Sequence, residues 1–461
     1  MKTKKILIII SDNLFVRNYI KTKVFESIVD KKNFKVEFLV NNSIKLDYNH
    51  FKKYHYTRFQ YPENSKNFFL KLFQRKIWQN TNRSNSFKFK LKIFLQFNRY
   101  IESYNEKFLD KIYKFPIRVL SLARNYLIYF VDTAKIFKFL RKKQENNLKI
   151  NPALLLKIKK FKPDLVILPT NTINPTKYDL FRISKKIKFR ILYLVDNWDN
   201  LSSKSTLFVK DSIFTVWGEQ TLNHAVKIQG IKKNKIKLLG TPRFENYFKH
   251  REKYLRSYFK YKYILFTEST LPSEANILPE LDKIISKNPK FKNLKVIYRP
   301  HPWRKSLKTY NQNEFRNIVI DPQVKKNYSL KNFSSTFQPS LDYYSSLLKN
   351  AEFIISGPTS MIIESLIFRK PVLLLNFKIK NFLLSPYNIL KNFEHFKNID
   401  RCSLIIKNNY RNDLEKNLVR CLKLRNNFNK KKIDQERNYF LTEKCKDYKS
   451  NLYKIIKELL N

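Results

Sequence analysis

The sequence predicts an α/β chain folded as two Rossmann-like domains that face each other across a cleft. Three observations lead there. The chain has 461 residues, enough for two domains of about 200 residues that each bury a core. Its hydrophobic fraction is 43% and its aromatic fraction 15%, far from the composition of a disordered chain. Short β-branched runs alternate with helical stretches along most of its length, the pattern of parallel sheets with crossover helices.

Taken in order, the first half offers KKILIII, KVEFLV, DLVILP, RILYLV, IFTVW and IKLL as strands. After a polar, tyrosine-rich stretch around residues 246–260, the second half offers KYILFT, KVIYR, NIVI, EFII and PVLLL. From about 408 the chain turns charged and helical, which predicts two closing helices. The expected division is residues 1–248, 249–407 and 408–461. Residues 66–143 break the alternation, with 19 Lys and Arg against 4 Asp and Glu, interleaved with apolar residues at helical spacing. They read as a basic helical insertion in the first domain. It either packs an aromatic stripe on the first sheet or rests on an anionic lipid surface.

The formal charge of +56 invites a nucleic-acid reading, since clustered Lys and Arg neutralise phosphates. The accompanying excess of Lys, Asn, Ile, Phe and Tyr argues against it. Glycine falls to 4 where average usage gives about 32, the signature of drift toward AT-rich codons. No dedicated nucleic-acid partner is expected. Cys402, Cys421 and Cys445 are widely spaced and form no CxxC pair, so they suggest neither zinc nor a disulfide framework. The apolar run Ile6–Ile10 is too short for a signal segment, and the longest membrane candidate is interrupted by Arg118, Arg124, Asp132 and Lys135. A cytoplasmic protein is expected, peripheral at the inner face of the membrane if the insertion binds lipid.

With so few glycines, each should sit where only a missing Cβ fits. Gly218, Gly230 and Gly240 punctuate VWGEQTLNHAVKIQGIKKNKIKLLGTPRF, read as strand, helix, strand and a turn carrying Arg243. Gly218 falls at a strand's C-terminal end, the edge where open parallel sheets bind ligands, and Gly230 suits a helix C-terminus. Upstream, LVDNWDN sets Asp196, Trp198 and Asp199 just past another strand end. Trp198 offers a face on which a sugar could stack. Asp196 is the candidate general base for an acceptor hydroxyl, with a loop-capping role as the alternative. His224, inside the intervening helix, is a weaker candidate.

Three further clusters belong to the second half. FTEST puts Glu268, Ser269 and Thr270 after its first strand. YRPHPWR puts Arg299, His301 and Arg304 after its second, where flanking prolines hold His301 extended toward a phosphate. EFIISGPTSMIIESLIF reads as a strand, a Ser356-Gly357 turn and a helix whose start, with Thr359 and Ser360, forms an anion site. Glu364, four residues past Ser360, lies on the same helical face and could meet ribose hydroxyls, or be a solvated helix residue. A diphosphate suits this set.

The runs DNWDN, WGEQ, HA and GTPRF resemble those of bacterial GT-B-type surface-carbohydrate glycosyltransferases. Those enzymes are related in fold to the CDP-glycerol glycerophosphotransferases and the UDP-N-acetylglucosamine 2-epimerases. Glu245 stands where that pattern ends in Asp. RPHP resembles the histidine-proline motif of the glycerophosphotransferase and capsule-synthesis families, which implies that His301 faces the donor diphosphate. The Ser356-to-Pro371 region is similar to the donor-binding element of the same families. Many retaining GT-B enzymes carry a Glu eight residues before the equivalent of Glu364, but Ser356 stands there, so that role is not transferred. The resemblance covers about residues 160–380.

It implies sugar transfer from a nucleotide-diphosphate sugar to a surface-glycan acceptor, lipid-linked or polymeric, probing a cleft between the halves. The expected machinery is inverting, with no cofactor and, since no paired Asp-x-Asp loop occurs, no metal. The alternatives are polyol-phosphate transfer from a CDP-alcohol, nucleotide-sugar 2-epimerisation, and a non-catalytic nucleotide-binding protein at a membrane surface.

Overall fold

The structure, a computed structural model, describes residues 3–44, 51–60, 84–95, 150–171, 176–204, 212–301, 314–329, 340–379 and 383–461, with a few positions between 115 and 123. Two all-parallel sheets organise them. The first is seven-stranded in the order β3-β2-β1-β4-β5-β6-β7, and the second six-stranded in the order β10-β9-β8-β11-β12-β13. The first sheet comprises β1 (Lys4–Ile10), β2 (Phe34–Asn41), β3 (Tyr56–Phe59), β4 (Leu165–Thr170), β5 (Arg190–Val195), β6 (Ile213–Val216) and β7 (Ile236–Leu238). The second comprises β8 (Lys262–Thr267), β9 (Leu294–Arg299), β10 (Ile318–Ile320), β11 (Ile354–Ser356), β12 (Val372–Leu375) and β13 (Ile405–Asn408).

All eleven expected strands form, and β3 and β13 are added. The apolar runs are continuous because both sheet faces are covered. Along β1, Ile6, Ile8 and Ile10 enter one core while Leu7 and Ile9 enter the one opposite. The strand order reverses direction between β1 and β4 and again between β8 and β11. Crevices at the C-terminal ends of strands beside such reversals are where open α/β sheets take ligands.

Local chemistry sets the helix ends. Asn151 caps the helix Pro152–Phe161 through a bond from Leu154 N, with Pro152 in the first turn. The helix Glu219–Lys227 is followed by Gly230 at φ +69°, the left-handed conformation expected of it.

The C-terminal helices tie the halves together. Helix Lys430–Phe440 packs in one core with Trp198 and Trp217 of the first half and with Ile362, Ile363 and Leu366 of the second. Its Asp434 accepts from Arg251, Arg369 and Arg437 at once. Helix Tyr448–Leu460 then returns to the first sheet, where Tyr448, Leu452, Ile455, Ile456 and Leu460 join the face formed by Ile6, Ile8 and Ile10.

Of the basic insertion, helix Asn85–Leu95 is described, and it does not simply lie on the first sheet. Ser84 Oγ donates to Ser202 O at 2.7 Å and Lys90 to Ser203 O, while Asn85 N donates to Glu394 at 3.1 Å and Ser86 Oγ receives Glu394 N. Phe89 packs edge-on against Phe393. The helix thus bridges both halves; most of residues 66–143, and with them the lipid-surface expectation, lie outside the described residues. Among the described residues no helix is long and apolar enough to cross a membrane.

Candidate functional site

The loops after β5 and β7 bring Asp196 and Arg243 together, at the C-terminal edge where the expectation put them. Asp196 is 1% exposed. Its Oδ1 accepts from Asn18 Nδ2 at 2.8 Å and its carbonyl from Trp217 Nε1 at 3.1 Å. Burial raises its pKa above the ordinary carboxylate value, against the opposing pull of Arg243, the Asn18 bond and Arg17. A buried carboxylate of raised pKa is a stronger base than a solvated one, which suits proton abstraction.

Arg17 and Asn18 were not among the expected residues. They lie on the π-helical turn Val16–Ile20, which continues the short helix Asn13–Phe15 that Asp12 caps by accepting Leu14 N after β1. Arg17 Nε donates to Asn18 Oδ1 at 2.9 Å, which leaves Asn18 Nδ2 pointing to Asp196. Burial, and then the like charge of Arg243, lower the Arg17 pKa. The available signal was SDNLFVRN directly after the first strand, beside the sheet's reversal point.

Arg243 lies over the rings of Trp217 and Phe244, at 5.2 and 4.5 Å from their centroids. It donates to Asn197 Oδ1 at 3.3 Å and faces Glu364 Oε1 at 3.7 Å. This last pair joins the first half to the helix Met361–Ile367 of the second. Glu364 is 5% exposed, so it is not the solvated helix residue considered as an alternative. Tyr247 Oη donates to its Oε2 at 3.3 Å and Ser360 Oγ to its Oε1 at 3.4 Å.

At the reversal point of the second sheet, the loops after β8 and β11 meet. Ser269 was expected to bind phosphate or sugar, but its hydroxyl proton is committed to Glu274 Oε1 at 2.5 Å and its N–H to Oε2 at 2.7 Å. Glu268 is buried and accepts from Tyr298 Oη at 2.9 Å. Thr270 is exposed. Ser356 is fully buried and donates back to Gly357 O at 2.9 Å, within the sheet edge. Thr359 and Ser360 are half-buried, and Thr359 Oγ1 accepts Met361 N at 3.4 Å. His301 is half-buried just past β9; Arg304 lies outside the described residues.

Other expectations need correction as well. Arg299 does not offer its charge to a ligand: it is buried in an ion pair with Asp321, also donates to Gln323 at 3.0 Å, and lies 4.1 Å from the Tyr344 ring. A guanidinium so enclosed is held by its partners. Trp198 is no sugar platform, because it is 2% exposed and edge-packed on His395, Phe396 and Phe440. Asp199 is tied to Lys204 at 3.3 Å and to Ser203 at 3.4 Å. Burial pushes its pKa up, but Lys204, His395 and Lys90 outweigh that and hold it low. Gly218 does not leave room for a ligand: a Cβ there would lie 2.6 Å from the Phe440 carbonyl carbon, so its bareness serves packing. His224 is buried too, and burial lowers its pKa to about 4, which keeps it neutral.

No protein-family model matches the chain, and no curated protein matches it. Solved structures do. A putative UDP-N-acetylglucosamine 2-epimerase from Listeria monocytogenes superposes at a TM-score of 0.54 and 9% identity, over 99% of this chain and 96% of that one. The chain has the two-domain GT-B fold. UDP-GlcNAc 2-epimerase from Neisseria meningitidis bound to UDP-GlcNAc gives 0.50 at 11% identity, over 99% of each chain. The glycotransferase of kitacinnamycin gives 0.50 at 8%, over 100% of each. At these identities the likeness is one of fold. Within this GT-B frame, Arg17, Asp196 and Arg243 line the edge of the first sheet, and Glu364 reaches Arg243 from the second half.

Proposed function

We propose that the chain is a glycosyltransferase that moves a sugar from a nucleotide-diphosphate sugar to a hydroxyl of a surface glycan. The observation that carries this reading is the cluster of Arg17, Asp196, Arg243 and Glu364 between two parallel sheets. It pairs a buried carboxylate of raised pKa with two guanidiniums, one of them held by Glu364.

In the reaction, Asp196 takes the proton of the acceptor hydroxyl as its oxygen bonds to the anomeric carbon. The bond from that carbon to the diphosphate breaks, with inversion, and the nucleoside diphosphate leaves with the electron pair. Arg17, Arg243 and His301 face the charge that develops on it, in a site where low dielectric strengthens each contact. The two guanidiniums supply the compensation that a divalent metal gives in other transferases. Thr270, Thr359 and Ser360 complete the donor side, and Glu364 holds Arg243 in place across the cleft. The protein works at the cytoplasmic face of the membrane, where a lipid-linked or polymeric acceptor grows.

The test is a panel of nucleotide sugars and CDP-alcohols incubated with the protein and membrane extract. Release of a nucleoside diphosphate from one nucleotide sugar supports the proposal. CMP release from a CDP-alcohol would mean polyol-phosphate transfer, and an epimerised nucleotide sugar without release would mean epimerisation; either overturns it.

A further inference from the structure

We propose that Glu274 is a positioning residue for the donor side of the cleft, turning Ser269 inward so that Thr270 faces the ligand. This rests on the donor reading above. Glu274 lies on the Pro272–Ile277 turn between β8 and the helix Leu278–Lys287, and it is 0% exposed. Burying a carboxylate is costly unless its oxygens are hydrogen-bonded. Both oxygens are used, one for Ser269 N and one for Ser269 Oγ. Such charge-assisted bonds are about twice as strong as neutral ones.

The serine hydroxyl is fixed from two sides, because its oxygen also accepts Leu271 N at 3.2 Å. Its proton points to Glu274 and is not offered to a phosphate. Thr270, next in the chain and exposed, is left to present its hydroxyl at the sheet's reversal point.

The other side of Glu274 is Gly357. The three nearest atoms to a Cβ built there all belong to the Glu274 carboxyl group, and they overlap it. Gly357 is not among the residues of positive φ, so its backbone would accept an alanine, and the carboxylate is what excludes one. Glu274 therefore locks the loop after β8 to the turn after β11, the two loops that flank the reversal point.

The experiment compares the full chain with E274A, E274Q, T270A, G357A and the double variant E274A/G357A, by thermal unfolding and by calorimetric titration with UDP, GDP and CDP. G357A should lower the unfolding temperature in the otherwise unaltered protein and add little to E274A, because the alanine then enters space the carboxylate has left. E274A should weaken nucleotide binding roughly 10-fold, E274Q by less since it keeps the volume and one acceptor, and T270A should weaken binding without shifting the unfolding temperature. Additive losses in the double variant, or unchanged affinity in E274A alongside normal binding by the unaltered protein, would overturn the proposal. Failure of the unaltered protein to bind any of the three nucleotides would instead sink the donor reading beneath it.

Discussion

Asp196 and Glu364 are both buried carboxylates, yet their surroundings assign them opposite consequences on removal. Burial raises the Asp196 pKa, so the folded state holds its proton more tightly than the unfolded one. Stability is then fully present below the ordinary carboxylate value and is lost as pH rises toward the raised one. Asp196→Asn removes that cost while its carbonyl oxygen still accepts from Asn18. The variant should unfold at an equal or higher temperature at neutral pH and turn over at least about 100-fold more slowly. The acid limb of the wild-type rate profile, set by the raised pKa, should vanish with it. Glu364 instead closes a buried pair with Arg243 and accepts from Tyr247 and Ser360. Glu364→Ala leaves the guanidinium uncompensated, and chemical denaturation should show a loss of about 3 kcal/mol, far more than a solvated helical Glu-to-Ala change costs.

At the scale of elements, eleven strands were legible because their β-branched runs are long enough to stand out between turns. The strands β3, YTRF, and β13, IIKN, were not, since polar members break up each apolar run and each takes its identity from a neighbour already in place. The same limit governs the site. Asp196 beyond a strand end was readable from local order, but Trp198 beside it was not: an aromatic at a sheet edge reads alike whether it meets a sugar or a helix from residue 430 onward. Arg243 and Glu364 are visible singly, whereas their pairing is a fact of domain packing. Gly218 allows a test of this: Gly218→Ala should cost about 1–3 kcal/mol through its clash with the Phe440 backbone, as chemical denaturation would read it, with nucleotide affinity unchanged. The Asp434 hub has its own pH signature. Burial pushes its pKa up, but Arg369, Arg437 and Arg251 hold it below the ordinary value. Its contribution is therefore present above that value and lost as pH falls through the depressed one. Asp434→Asn should be less stable at neutral pH, with the gap to wild type closing in strong acid when the unfolding temperature is followed.

At the scale of the molecule, the chain leaves the first half, builds the second and returns, so the first half is not complete without the last helix. Tyr448, Leu452, Ile455, Ile456 and Leu460 fill one face of the first sheet. Burying five such side chains is worth on the order of 10 kcal/mol, comparable to the whole net stability of a domain. Removal of residues 448–461 should leave a chain that no longer unfolds cooperatively, as followed by circular dichroism. With both halves held, the cleft between them has one central task, and a single-turnover assay with the donor found in the panel reads it directly. Wild type and Asp196→Asn should bind the nucleoside diphosphate with equal affinity, while only wild type releases it from the sugar when acceptor is added. Equal release by both proteins would contradict the account.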